Sequence, residues 1–266
     1  MHRALALIAA LSLPAMALAE EKKAAPAAAL AADSGKAEAT WWGHAAFVVK
    51  SAKGTVIAID PWLQNPKAPK DAKWPVTVDA ILVSHGHADH VGNAAELARK
   101  TDAQVIGAYE LVSLIGAANA MGANIGGTVT VKDAIVHLVP AVHSSGFSPP
   151  DSKEPAKYGG NPVGYVIELG GGVVLYHAGD TDAFGDMAMI ADRYHPTVAL
   201  LPIGGHFTMD PKGAALAARL LKVKKVIPMH FGTFPALAGT PDQLRAELKG
   251  TKIEVVEAVI GQATAL

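Results

Sequence analysis

Apolar residues fall along this chain in short blocks separated by turn-forming residues, with stretches of helical spacing between them. Residues 80–83 are a short apolar run, the pattern of a strand buried on both faces, and residues 198–202 and 225–228 read as two more buried strands. Residues 45–49 and 55–59 read as a hairpin closed by Lys53-Gly54, residues 129–132 and 135–139 as strands around a turn at Asp133, and residues 163–169 and 173–176 as a hairpin across Gly170-Gly171-Gly172. Residues 94–100 and 110–121 have helical character. Asp210-Pro211 reads as an N-cap followed by proline at the first helical position, opening a helix to about Leu221. Thr240-Pro241 repeats the device for residues 242–249, with Gly250 as the stop. Strands and helices interleaved in this way predict an α/β fold with helices packed over sheet faces.

Composition narrows the function classes. With 266 residues, half of them hydrophobic, and 26 glycines, the chain can build a sizeable core with many tight turns. Its 23 basic and 24 acidic residues nearly cancel, which removes the electrostatic argument for a nucleic-acid or anionic-membrane partner. Cysteine is absent, so disulfides, thiolate metal sites and a cysteine nucleophile are excluded. The 11 histidines point instead to metal ligation by imidazole.

The first residues read as a targeting segment. A basic start at His2-Arg3, an apolar run over residues 4–13, Pro14, and Ala17-Leu18-Ala19 before Glu20 make a cleavable export signal of residues 1–19. The run is shorter than the roughly 18 residues of a spanning helix. A periplasmic or secreted protein without a stable membrane anchor is the expectation. Residues 20–38, rich in Ala, Lys and Glu and lacking aromatics, read as a flexible linker, and one domain is expected from residue 39 to 266.

Chemistry concentrates in Ser84-His85-Gly86-His87-Ala88-Asp89-His90, directly after the apolar run 80–83. Histidines and a carboxylate at this spacing, on a loop entering a helix, allow His85 and His87 to face one ion while Asp89 and His90 face another.

This motif resembles the signature of the metallo-β-lactamase superfamily. The other ligands of that family have counterparts in order: His143 in Val142-His143-Ser144, Asp180 in Ala178-Gly179-Asp180-Thr181, and His230 in Pro228-Met229-His230. The stretches Gly204-Gly205-His206-Phe207-Thr208-Met209 and Pro228 through Pro235 are similar to the UPF0173 metal-dependent hydrolases, relatives of ascorbate-6-phosphate lactonases and of N-acyl-phosphatidylethanolamine phospholipase D. The resemblance implies a four-layer αβ/βα sandwich of two mixed sheets flanked by helices. It implies two divalent ions, zinc foremost, with manganese, iron and nickel suited to the same donors. His85, His87 and His143 would hold one ion, Asp89, His90 and His230 the other, with Asp180 bridging. The activity implied is hydrolysis by a metal-activated hydroxide, on a lactone or other ester or on a phosphodiester.

Asp89 could also orient the attacking water or carry its proton. His44 in Trp42-Gly43-His44 reads equally as a substrate or supporting contact and as a hydrogen-bonded interior histidine. Asp60, at a strand end, could orient a ligand histidine. His206, on a glycine-rich loop, is a candidate substrate contact. His177 and Asp182, flanking Asp180, read equally as functional residues and as packing or turn residues, and Trp41, Trp42 and Trp62 read as core or pocket wall. A mononuclear-iron oxidoreductase resembling persulfide dioxygenases shares the first motif, and a non-catalytic metal-binding protein would be expected to have lost part of the ligand set. The substrate expected is a small molecule, and a homo-oligomer is compatible with the sequence.

Overall fold

The computed structural model describes residues 35–70, 75–149 and 152–266. The export signal and nearly all of the linker lie outside them. In chain order the strands are Glu38–Trp41 (β1), Phe47–Lys50 (β2), Val56–Ile59 (β3), Ala80–Val83 (β4), Gln104–Ala108 (β5), Ala120–Ala123 (β6), Thr128–Val131 (β7), Ala134–Pro140 (β8), Gly146–Phe147 (β9), Lys157–Tyr158 (β10), Val163–Glu168 (β11), Val174–His177 (β12), Val198–Pro202 (β13), Lys225–Met229 (β14), Glu254–Val255 (β15) and Ala263–Ala265 (β16). The helices are Ala88–Val91 (α1), Ala94–Thr101 (α2), Tyr109–Ile115 (α3), Met187–Tyr194 (α4), Pro211–Leu220 (α5) and Pro241–Glu247 (α6).

Two seven-stranded mixed sheets result, in the orders β16-β1-β2-β3-β4-β5-β6 and β15-β14-β13-β12-β11-β8-β7. In the first, β3 through β6 run parallel; in the second, β12 through β15 do. Strand β4 shows why its sequence is apolar throughout. Ala80 and Leu82 enter the large core with residues of both sheets, whereas Ile81 and Val83 join a second cluster with Leu97, Ala98, Leu111 and Val112 of α2 and α3. The α/β architecture of two mixed sheets with flanking helices is therefore the one the sequence predicts.

Polar groups also tie the two sheets together. The buried Tyr165 hydroxyl of β11 donates to the carbonyls of Val83 (2.7 Å) and Ile106 (3.2 Å) across the core. Near the β2–β3 turn, the Ser51 and Thr55 hydroxyls both donate to Asp133 in the β7–β8 turn.

Both predicted proline-opened helices form: the Asp210 side chain accepts from Gly213 N at 2.8 Å, and Thr240 and Gln243 close a capping box. Residues 110–121 behave differently from expectation. The helix ends at Ile115, because Gly116 turns left-handed (φ +69°), and Ala120–Ala123 becomes an edge strand beside β5. Strand β5 and helix α4 were not predicted, and β1 begins at Glu38, the last residue of the expected linker.

Candidate metal centre

The site grows from strand ends at one edge of the sandwich, where open α/β sheets bind their ligands. Asp60 follows β3, Ser84 through His90 follow β4, His143 lies just beyond β8, Asp180 beyond β12 and His230 directly after β14. His44 sits in the β1–β2 turn. Three of these residues, His44 (φ +53°), Asp60 (φ +46°) and His230 (φ +55°), adopt the left-handed backbone conformation that side chains other than glycine's disfavour. Such strain persists where surrounding contacts over-determine it, and it concentrates at functional sites.

Two glycines are demanded by close approach. A Cβ at Gly86 would sit 3.0 Å from the Gly146 backbone, so His85 and His87 can be presented only by a chain running tightly under β9. At Gly179 (φ +59°) a Cβ would meet the Ser84 side chain at 2.7 Å, so this residue lets the loop bearing Asp180 close against the one bearing the histidines. His177 stabilises the same turn: its Nδ1 accepts from Gly179 N at 3.1 Å and its Nε2 donates to the Ala45 carbonyl at 3.1 Å.

Eight side chains converge in three overlapping groups: His85, His87 and His143; His85, His90 and Asp180; and His44, Asp89, His90 and His230. His85 Nε2 and His87 Nδ1 are 2.9 Å apart. Asp180 lies centrally, with Oδ1 3.3 Å from His90 Nε2, and Oδ2 3.2 Å from His230 Nε2 and 3.6 Å from His143 Nε2. Asp89 Oδ2 is 3.8 Å from both His90 Nε2 and His230 Nε2.

A buried hydrogen-bond network aims these donors. Asp60 accepts from Ser84 N (2.8 Å), Ser84 Oγ (2.7 Å) and His90 Nδ1 (2.7 Å). With its hydroxyl proton on Asp60, Ser84 Oγ accepts from His85 Nδ1 at 3.0 Å. Protons thus fixed on the Nδ1 atoms leave the Nε2 lone pairs of His85 and His90 free to face the cluster, the arrangement by which carboxylates prepare histidines for a metal. On the other side, His44 Nε2 donates to Asp89 Oδ2 at 2.9 Å, while its Nδ1 contacts Thr233 Oγ1 at 2.9 Å.

Electrostatics favours a cation at the centre. Burial lowers the pKa of His85, His87 and His143, and pushes His44 down to about 4. These imidazoles are therefore neutral, as metal ligation requires. Burial disfavours charge on Asp89 and Asp180, yet the surrounding histidines hold both below the ordinary carboxylate range. Burial likewise opposes charge on His90, but Asp180, Asp60 and Asp89 hold it well above the ordinary value. Positive charge is thus favoured at His90 Nε2, and a metal ion satisfies that demand as well as a proton does.

His90 Nε2, His230 Nε2 and Asp180 Oδ1 are buried and lack a hydrogen-bond partner among the described residues; their mutual approaches are not aligned as hydrogen bonds. Each such orphan costs about 1–3 kcal/mol. Three of them aimed at one place are accounted for by cations, and imidazole with carboxylate oxygen suits zinc and its first-row neighbours.

Comparison with known proteins agrees. The profile of the Beta-lactamase superfamily domain matches residues 38–230. A UPF0173 metal-dependent hydrolase of Myxococcus xanthus is 59% identical over 249 residues, spanning 92% of this chain and 89% of the relative. A second from Anaeromyxobacter sp. is 53% identical, over 84% of this chain and 85% of its own length. This chain is a UPF0173 metal-dependent hydrolase. The family's fold extends to Igni18, a metallo hydrolase from the archaeon Ignicoccus hospitalis, which superposes with a TM-score of 0.72 at 36% identity, covering 87% of this chain and 98% of that one. Isothiocyanate hydrolase from Delia radicum gut bacteria shares the fold at a TM-score of 0.64 and 18% identity, over 86% of this chain and 98% of its own.

Within this UPF0173 hydrolase, all seven residues read from the sequence as ligands meet in one cluster, and His44 joins them. His206 belongs to none of the three groups; it is exposed on the loop after β13, its ring against Phe207. Asp182 is exposed and caps its own turn through Ala183 N. Sequence reasoning missed Ser84 and Thr233, whose hydroxyls bind imidazoles of the cluster. Trp62, read as core or pocket wall, lies 5.2 Å from the His44 ring, and Phe234, which sequence reasoning missed, lies 6.0 Å from it. The serine beside the first histidine was the available signal for Ser84.

Proposed function

We propose that this metal-dependent hydrolase cleaves a lactone or other carboxylic ester, or a phosphodiester, at a two-ion centre. His85, His87 and His143 would hold one divalent cation, Asp89, His90 and His230 the other, with Asp180 between them; zinc is the first choice. The observation that supports this reading is the convergence of buried, unpartnered His90 Nε2, His230 Nε2 and Asp180 Oδ1 beside the His85–His87–His143 group.

When bound, the cations supply Lewis acidity for the scissile carbonyl or phosphoryl oxygen and bring the pKa of water towards neutrality. The chain's own residues do the rest. Asp89 is the carboxylate of the cluster with solvent access, its side chain 30% exposed against 3% for Asp180. It is placed to orient the attacking water and to carry its proton to the leaving group. His44 and Thr233 keep Asp89 turned towards that water, so His44 acts by positioning. Asp60 and Ser84 fix the proton on Nδ1 of His90 and His85.

The test is hydrolysis of matched ester, lactone and phosphodiester probes by the zinc-loaded protein, repeated after chelation. Turnover of one bond class that vanishes with chelator and returns with zinc supports the reading. Turnover of none contradicts it. The expected export signal places the mature protein in the periplasm or outside the cell, which N-terminal sequencing beginning at Glu20 would support.

A further inference from the structure

A cavity of about 420 Å³ opens against the metal cluster on its His143 side, walled by Ser144, Lys157, Tyr158 and Asn161. Its polarity is one-sided. Among the described residues, Lys157 is the only permanently charged one in the lining, and no carboxylate among them lines it. Lys157 is exposed and has no ion-pair partner among the described residues. Asn161 Oδ1 accepts from Tyr158 Oη at 3.0 Å, and the Asn161 amide adds N–H donors to the residues of this lining. Ser144 adds a hydroxyl, whose oxygen lies 3.3 Å from His87 Nε2. Glu110 approaches Gly160 from outside the lining.

The opposite flank is of the other kind. Trp62 and Phe234, with rings 6.1 Å apart, border His44 and hence Asp89. The metal cluster therefore lies between a donor-rich, positively charged cavity and an aromatic wall.

We propose that Lys157, Asn161 and Ser144 form an anion subsite, and that the substrate is an ester or lactone bearing a carboxylate or phosphate group on the side of the scissile bond that faces His143. This rests on the hydrolase reading above and adds to it the substrate's charge and polarity. An ammonium beside neutral N–H and O–H donors binds such oxygens through charge-assisted hydrogen bonds. Its contribution goes to binding, because the group it holds does not react.

The experiment compares the zinc-loaded protein with its Lys157→Ala and Lys157→Arg variants on mono-4-nitrophenyl glutarate, the corresponding phosphate-bearing ester and neutral 4-nitrophenyl valerate. Binding of glutarate and of inorganic phosphate is measured in parallel by calorimetry. The expected result is an acidic-ester preference in kcat/KM of about tenfold or more, one such factor being about 1.4 kcal/mol. In Lys157→Ala the preference collapses through a raised KM, valerate kinetics do not change, and Lys157→Arg restores most of it. Which acidic ester is favoured separates carboxylate from phosphate. An equal loss on acidic and neutral esters, or no acidic preference in the unmodified protein, overturns the subsite while leaving the hydrolase reading intact. If no ester is turned over, the bond class is wrong, and calorimetry decides the subsite: at least tenfold weaker glutarate or phosphate binding in Lys157→Ala upholds it, and unchanged binding overturns it.

Discussion

Two buried polar clusters join the sheets at opposite ends of β2, and they are satisfied in opposite ways. At the β2–β3 turn, Ser51 and Thr55 donate to Asp133, and Ser51 Oγ also accepts from Thr55 N at 3.0 Å. That cluster closes on itself. At the β1–β2 end, His44 is part of a cluster in which His90 Nε2, His230 Nε2 and Asp180 Oδ1 find no hydrogen bond among the described residues. A polar group buried to hold a fold is expected to be saturated by its neighbours. The contrast teaches that the β2–β3 cluster is structural, whereas the other is built for something it does not itself contain.

Substitutions sharpen this contrast, beginning with the largest effect. Asp180→Ala should lower kcat/KM by more than about 100-fold, beyond the 10–100-fold typical of residues that only support metal ligands. Steady-state kinetics after zinc loading checks this; retention of most of the activity would break the comparison. Asp60→Asn keeps the size of the side chain but weakens the hold on His90 and Ser84. It should weaken metal affinity by about 10–100-fold, as read by competition with a chromophoric chelator.

At the saturated end the effect should fall on stability. Asp133→Ala leaves the Ser51 and Thr55 hydroxyls without their acceptor and should destabilise the fold by about 1–3 kcal/mol in urea titrations, with kcat/KM per folded molecule unchanged. The pH dependence has a definite sign. Burial opposes ionisation of Asp133, but the Thr55 and Ser51 hydroxyls hold its carboxyl below the ordinary value. Its contribution is therefore complete above the unfolded aspartate value of about 3.9 and is lost as pH falls through the lower folded value. Asp133→Asn should lose stability at neutral pH and show a shallower acid decline than the unmodified protein. The smallest effect is expected of Tyr165→Phe, which removes the hydroxyl shared by the Val83 and Ile106 carbonyls and should cost about 1 kcal/mol.

Legibility in the sequence followed how local the determining physics was. Strand β4 was readable because both its faces are buried, and helices α5 and α6 because Asp210-Pro211 and Thr240-Pro241 carry their own caps. Strand β5, just as buried, ends in Gly107-Ala108 and lacks a clear pattern. Helix α4 buries Met187, Ile190 and Ala191, a spacing that carried a signal sequence reasoning passed over. The clustered residues were legible because they follow strands in a familiar order. Of the orienting network, Asp60 was legible from its place at a strand end, whereas Ser84 and Thr233 gain their roles from contacts across the fold. His206 shows the reverse, a suggestive loop residue that tertiary structure leaves outside the cluster.

The central claim, that the unsaturated end of the sandwich is a two-ion site, is tested most directly by the metal content of the folded, zinc-equilibrated protein after removal of free ions. The account predicts two zinc ions per chain and fewer in Asp180→Ala. No retained metal, or a single ion unaffected by the loss of Asp180, would contradict it.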